Sequence, residues 1–206
     1  SLPCASPVSR MKTKRPFVVV IAGGTASGKS TIVSRFVAQT DATHLGHDRY
    51  YWDVPDPVGH DFDHPDALDT DRLVSDLAQL RSGEPAELPV YEFASHSRTA
   101  EVERVEPSAV IVVEGILVLA DERLSALADL RVFVDAPEEI RFERRMARDI
   151  AERGRTAASV RAQYASTVKP NHDRFVEPSK ARADLILDGT AEIDTSVAQL
   201  VARLSP

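Results

Sequence analysis

The chain has 206 residues, 43% hydrophobic and 28% charged, enough for one core that buries roughly 70% of the unfolded surface without disulfide or structural metal. Its 25 Lys plus Arg face 32 Asp plus Glu, a net charge of −7, so no global basic field exists to hold a long nucleic acid and any phosphate must be bound by local design. A single cysteine, Cys4, excludes a disulfide framework and a Cys-based zinc site and fits a cytoplasmic protein, while the longest apolar runs fall far short of the ~20 residues that span a bilayer.

Residues 1 to about 15 carry Pro3, Pro7 and several serines but no apolar stretch of signal-peptide type, and are expected to form a flexible tail ahead of one domain, 16–206. Phe17–Ile21 is the first apolar, β-branched run and predicts a strand, followed by a helix over Ser30–Gln39 and a weaker strand over Thr43–Gly46. Asp69–Arg81 reads as helix. Glu87–Phe93 and Arg98–Val105, separated by Ala94–Ser97, read as a β-hairpin standing off the main sheet, because the second half alternates apolar and charged residues. Strands over Ala109–Val113, Val132–Val134 and Leu185–Leu187 alternate with helices over Asp121–Ala128, Pro137–Glu152 and about Thr195–Arg203. Strands apolar on both faces, alternating with helices, predict an α/β three-layer fold with a parallel sheet flanked by helices.

Between the first strand and the first helix stands Gly23-Gly24-Thr25-Ala26-Ser27-Gly28-Lys29-Ser30, followed by Thr31. It matches G-x-x-x-x-G-K-[ST] in the strand-to-helix context that a phosphate-binding P-loop requires. Chance would produce the match at roughly one position in 30,000. The glycines allow successive amides to turn toward one anion, and the helix start offers further free donors. In such a loop Lys29 meets the β and γ phosphates and the Ser30 hydroxyl meets Mg²⁺. No N-K-x-D motif follows and no D-x-x-G switch stands after a strand, which disfavours a small GTPase.

Three further features surround this cradle. The strand over 109–113 ends in Glu114-Gly115, a carboxylate at the sheet edge beside the P-loop able to hold Mg²⁺; the alternative is a buried glutamate satisfied by backbone. Asp48 follows the second strand and is expected at the same edge, as a base for a substrate hydroxyl or, alternatively, a capping residue. The helix opening Asp135-Ala136-Pro137-Glu138 suggests a capping box. Arg141, Arg145 and Arg148 share one face of it, and Arg153-Gly154-Arg155 follows, so this stretch reads as a lid over a transferred phosphate or as a solvated basic face.

The motifs together resemble the uridine kinase (uridine–cytidine kinase) family of P-loop kinases over about Phe17 to Leu187. The carriers are GGTASGKS at Gly23–Ser30, Phe62-Asp63-His64-Pro65-Asp66-Ala67, Pro89-Val90-Tyr91-Glu92-Phe93 with Ser95-His96-Ser97-Arg98, and Val113-Glu114-Gly115-Ile116-Leu117. Arg145 to Arg155, Gln163-Tyr164 and Val168-Lys169-Pro170 complete the series. The resemblance implies a P-loop NTPase fold with the hairpin lobe, about 87–106, over a nucleoside site and an arginine lid at about 148–160. It implies transfer of phosphate from ATP or GTP to the 5′-hydroxyl of uridine or cytidine, with Mg²⁺.

On that resemblance Asp48 matches the catalytic base, Tyr51 an aromatic beside the nucleoside, and Asp63, next to Phe62, the grip on the ribose hydroxyls. Tyr91 and Phe93 match the hairpin aromatics around the base and His96 the reader of its pyrimidine edge. Arg145 and Gln163 match further nucleoside contacts, Arg148, Arg153 and Arg155 the phosphate-facing and lid arginines, and Ser30, Glu114 and Asp48 the magnesium side. A homo-oligomer, a tetramer, is implied, with no nucleic acid or membrane partner. Gly46-His47 before Asp48 and Arg49 after it depart from the expected small or polar residues, and the end soon after the last helix predicts no appended phosphoribosyltransferase domain. His44, His47, His60, His64 and His172 read as ordinary structural histidines. The rival readings are a P-loop kinase for pantothenate or phosphoribulose and a nucleotide-sensing module without turnover.

Overall fold

A computed structural model describes residues 15–204; Cys4 and the rest of the expected tail through residue 14 lie outside the described residues. Arg15 is exposed and pairs with Asp129 at 2.7 Å.

Five parallel strands form one sheet in the order β2-β5-β1-β6-β7, with β1 at Phe17–Gly23, β2 at Thr43–Gly46, β5 at Val110–Glu114, β6 at Leu130–Asp135 and β7 at Leu185–Asp188. Strand alternation divides the core between the two faces. Val18, Val20 and Ala22 of β1 join one cluster with Ile111 and Val113 of β5, while Val19, Ile21 and Val112 join the other. The first is covered by α2 (Thr70–Arg81), through Leu73, Leu77 and Leu80, and by α3 (Glu122–Leu127). The second is covered by α1 (Lys29–Thr40), through Ile32, Val33 and Phe36, and by α8 (Ile193–Ala202), through Val197 and Leu200. Burial of both faces is what keeps a parallel sheet stable. Because all strands run the same way, the residues after β1, β2, β5, β6 and β7 share one edge, where ligands of open α/β sheets bind.

The hairpin stands apart as its own two-stranded sheet, β3 (Ala86–Glu92) against β4 (Ser97–Val105). Its register shifts between Pro89 and Tyr91, where proline has no N–H to give the ladder. Arg98 pins it to the body: Nε donates to the Tyr51 carbonyl at 3.0 Å, Nη2 to the Tyr50 carbonyl at 2.9 Å, and Nη1 pairs with Asp69 at 3.1 Å.

One expectation is corrected. Asp135 caps no helix: it ends β6 and its carboxylate binds Lys180 at 2.5 Å, while α4 (Glu138–Arg153) starts after Pro137 with no side-chain cap. Its first-turn Glu138 and Glu139 still meet the positive end of the helix dipole. The stretch after the arginines, to which no element was assigned, is an almost unbroken helical run: α5 (Ala157–Gln163), a π-type turn at Tyr164–Val168, α6 (Lys169–Asn171), a second π-type turn at His172–Val176, and α7 (Glu177–Ser179). Each widened turn ends two residues before a proline, Pro170 or Pro178. The missing proline N–H is accommodated by widening the helix rather than by ending it.

Candidate active site

The P-loop leaves β1 at the sheet edge and enters α1. Ala26 (φ +55°) and Gly28 (φ +96°) lie in the left-handed region, which turns consecutive amides toward the inside of the loop. The loop is also wedged from outside. A Cβ on Gly24 would fall 2.7 Å from Arg141 Nη1 and 2.9 Å from His172 Cε1, and one on Gly189 would fall 2.0 Å from the Ser27 carbonyl oxygen.

The side chains that follow converge. Lys29 Nζ donates to Glu114 Oε2 at 2.5 Å, and Ser30 Oγ lies 3.5 Å from the same oxygen. His44 Nε2 is 3.7 Å from Glu114 Oε1. Burial would raise the Glu114 carboxyl, but the Lys29 ammonium and the His44 contact outweigh it and hold it down to about 2. An ionised carboxylate beside a serine hydroxyl at a helix start is a set of hard oxygen donors that suits Mg²⁺. Asp48 lies in the 3₁₀ turn His47–Tyr50 just after β2. Asp48 is an exposed residue, yet the protein mass around its carboxyl raises its pKa, Lys29 pulls it back, Glu114 raises it, and Arg153 and Arg148 lower it. Asp48 thus feels the P-loop lysine, the Glu114 carboxylate and the guanidinium groups of Arg153 and Arg148 together.

The residues expected to meet a nucleoside form a second group beside it. Tyr51 meets Phe62 edge-on at 5.6 Å between ring centroids and Tyr91 at 5.7 Å; Phe62 lies over His96 at 5.1 Å and 31°; Tyr91 meets Phe93 at 5.1 Å. All five predicted aromatics are therefore in one connected wall, with Phe93 at its rim, 58% exposed. His96 reaches it from a left-handed backbone position, φ +51°. Asp63 is buried; that burial raises its carboxyl and Arg145 pulls it down, with Asp48 among the anions in reach.

The arginines are only in part a solvated face: Arg153 is exposed, and Arg148 and Arg155 are half-buried. Arg141 and Arg145 are each 6% exposed. Arg145 Nη1 donates to Thr25 Oγ1 of the P-loop at 2.9 Å and its Nη2 to Gln163 Oε1 at 3.2 Å, and Arg155 donates to the same Gln163 oxygen. Arg145 thus touches the phosphate loop as well as lying toward Asp63, and Gln163 ties it to Arg155. Arg145, Arg148, Arg153 and Arg155 all approach the carboxylate of Asp149, which is fully buried.

Some residues around the site carried no recognised signal. His172, read as an ordinary structural histidine, is 7% exposed, lies against Gly24, and has Nε2 3.2 Å from Arg141 Nη2. It is delivered there by the second π-type turn, which no periodicity announces. Gly189 supports the P-loop from the end of β7, with Arg144 Nη1 donating to its carbonyl at 2.9 Å. Asp149 had a visible signal, its i+4 spacing from Arg145, that passes for an ordinary helix-surface pair.

Residues 57–196 match the profile of the Phosphoribulokinase / Uridine kinase family. The chain is 41% identical over 197 residues to the uridine kinase of Chloroflexus aurantiacus (strain ATCC 29366 / DSM 635 / J-10-fl), with 92% of this chain and 94% of that protein covered. It is 42% identical over 201 residues to the uridine kinase of Listeria monocytogenes serotype 4a (strain HCC23), covering 93% and 96%. Its fold is similar to the solved structure of a possible uridine kinase from Bacillus stearothermophilus, with a TM-score of 0.63 at 18% identity over 87% of this chain and 92% of that one. The chain belongs to the phosphoribulokinase/uridine kinase family of P-loop kinases.

Proposed function

We propose that the protein moves the γ-phosphoryl group of ATP or GTP to the 5′-hydroxyl of uridine or cytidine, giving UMP or CMP, the entry step of pyrimidine salvage. The observation that carries this reading is the aromatic wall Tyr51–Phe62–His96 with both Asp63 and Asp48 within electrostatic reach of Tyr51. A free ribonucleoside presents a flat base, a vicinal diol and a primary hydroxyl, and these groups need an aromatic surface, a carboxylate acceptor and a proton acceptor in that order. The uridine kinases among its relatives support the same acceptor.

In this mechanism the amides of Gly23–Ser30, with Thr31 following, and the Lys29 ammonium bind and orient the donor phosphates. Ser30, Glu114 and Asp48 would hold Mg²⁺, which when bound neutralises phosphate charge. Asp48 accepts the 5′-hydroxyl proton as the new O5′–P bond forms and the bond from the γ-phosphorus to the bridging oxygen breaks. Arg148, Arg153 and Arg155 face the negative charge on the departing diphosphate and transferring group. Tyr91 and Phe93 close the hairpin side of the base, and Arg145 and Gln163 join Asp63 at the ribose. We take 16–206 as one kinase domain, with the hairpin at about 87–106 and the lid at about 148–160, acting as a homotetramer in the cytoplasm; sedimentation of the purified chain tests the assembly. Among the described residues no helix is long and apolar enough to cross a membrane.

The test is Mg²⁺-dependent release of ADP or GDP with uridine, cytidine, adenosine, pantothenate and ribulose 5-phosphate as acceptors, against a blank without acceptor. Release confined to the two pyrimidine ribonucleosides is the expected result. Release with a sugar phosphate or pantothenate instead overturns the hairpin assignments, and tight nucleotide binding with no release makes the chain a sensing module.

A further inference from the structure

Asp149 is surrounded by positive charge to a degree matched by no other carboxylate among the described residues. Its oxygens lie 3.0 Å from Arg148 Nη2, 3.4 Å from Arg153 Nη1, 3.5 Å from Arg155 Nη1 and 3.6 Å from Arg145 Nε, and the side chain is 0% exposed. Among the described residues, none of these four arginines pairs with any other carboxylate. The backbone of Asp149 closes the same structure. Gly154 ends α4 in the left-handed conformation, φ +61°, and its N–H and that of Arg155 both donate to the Asp149 carbonyl, the latter at 3.1 Å. The chain therefore reverses about Asp149 and brings Arg155 back to a carboxylate that Arg145, Arg148 and Arg153 reach from the helix.

Among the described residues one carboxylate pairs with four guanidinium groups, so the cluster keeps excess positive charge toward the site, where Asp48 and Asp63 face it. The cluster touches both halves of the site. Arg148 and Arg153 act on Asp48, and Arg145 holds Thr25 of the P-loop. Free arginines carry about 2 kcal/mol of rotamer entropy each, and donors that are fixed before charge develops stabilise a transition state more than donors that must be gathered during it.

We propose that Asp149 is the positioning residue of phosphoryl transfer: its buried carboxylate and carbonyl hold Arg145, Arg148, Arg153 and Arg155 where charge develops on the transferred group. The inference rests on the kinase reading above but not on which acceptor is used. The experiment measures kcat, both KM values and ATP affinity of wild type, Asp149→Asn, Arg155→Gln and the double variant, with thermal melts alongside. Asp149→Asn is expected to melt as a folded protein, to keep KM for the acceptor and Kd for ATP within about threefold, and to lose about 100-fold in kcat. The double variant is expected to lose little more than the worse single one, because both changes disrupt one unit.

A folded Asp149→Asn with kcat within about threefold of wild type overturns the proposal, as do losses that multiply in the double variant. If Asp149→Asn does not fold, Gly154→Ala replaces it. That change leaves the carboxylate in place and strains the left-handed turn by about 1 kcal/mol, with open space around the new methyl. It is expected to lower kcat about tenfold with ATP binding intact, and an unchanged kcat overturns the proposal. Every ratio is taken on the acceptor that wild type uses. A wild type that uses none overturns the kinase reading alone, and the ratio is then read on hydrolysis of ATP.

Discussion

Gly189→Ala places one methyl group where two backbones meet. Gly189 follows β7, its N–H donates to the Asp135 carbonyl at 2.7 Å, and its carbonyl accepts from Arg144 at 2.9 Å, so the residue is held from both sides. The added Cβ would lie 2.0 Å from the Ser27 carbonyl oxygen and 3.0 Å from that of Asp135. Neither atom belongs to a flexible side chain that can rotate away. Relief requires the turn after β7 and the P-loop to separate by roughly 1 Å, and overpacking of this kind costs about 1–3 kcal/mol. The same displacement moves the phosphate-binding amides, and a 1 Å error in a positioned site costs on the order of 100-fold in rate. Urea unfolding should show a lower midpoint with an unchanged slope, and calorimetry should show ATP affinity reduced while KM for the acceptor changes little. Gly83→Ala is the control: its φ of +92° makes alanine unfavourable, but nothing lies within 4 Å of the new methyl, so it should cost about 1 kcal/mol and leave ATP binding alone. Wild-type stability and ATP affinity in Gly189→Ala would refute the argument that this contact shapes the P-loop.

Asp48→Asn should lower kcat by about 100- to 10,000-fold while ATP still binds, since the amide keeps the shape and cannot take the hydroxyl proton; near-normal turnover removes Asp48 as the base. His96→Ala should raise KM for the pyrimidine nucleoside much more than KM for ATP, and equal effects would put His96 outside the nucleoside pocket. A third prediction concerns acid stability. His47 is 2% exposed, and burial lowers its pKa to about 4 against attractions from Asp121 and Glu114. The unfolded chain, with an ordinary histidine, binds the proton first, so the neutral His47 contribution is complete above the unfolded value and is lost as pH falls toward the folded one. That loss amounts to about 2 kcal/mol between pH 7 and pH 5. Urea melts at the two pH values, without Mg²⁺, should show it for wild type and not for His47→Gln; an equal loss in both proteins would assign the acid sensitivity elsewhere.

How much of the molecule could be read beforehand follows from the range of each signal. The central strands of the sheet were legible because β1, β5 and β6 are short apolar runs buried on both faces, and the hairpin because Arg98–Val105 alternates. The P-loop was legible because its glycines, lysine and serine act within eight consecutive residues. The helix after Thr156 was hidden by Pro170 and Pro178, which locally argue for a break that packing overrides. Asp135 looked like a cap because its sequence neighbourhood cannot show the distant Lys180.

Sequence alone determined the α/β class, the phosphate cradle, and the residue types able to meet a nucleoside, since those depend on periodicity and on motifs a few residues long. Tertiary structure alone decided which of those residues share a site. It brought Glu114 onto Lys29, joined the aromatics of three separate segments into one wall, and turned a row of arginines from a basic helix face into a cluster around Asp149. Those outcomes depend on the order of strands in the sheet and on where a widened helix returns the chain, and neither is encoded in the spacing of neighbouring residues.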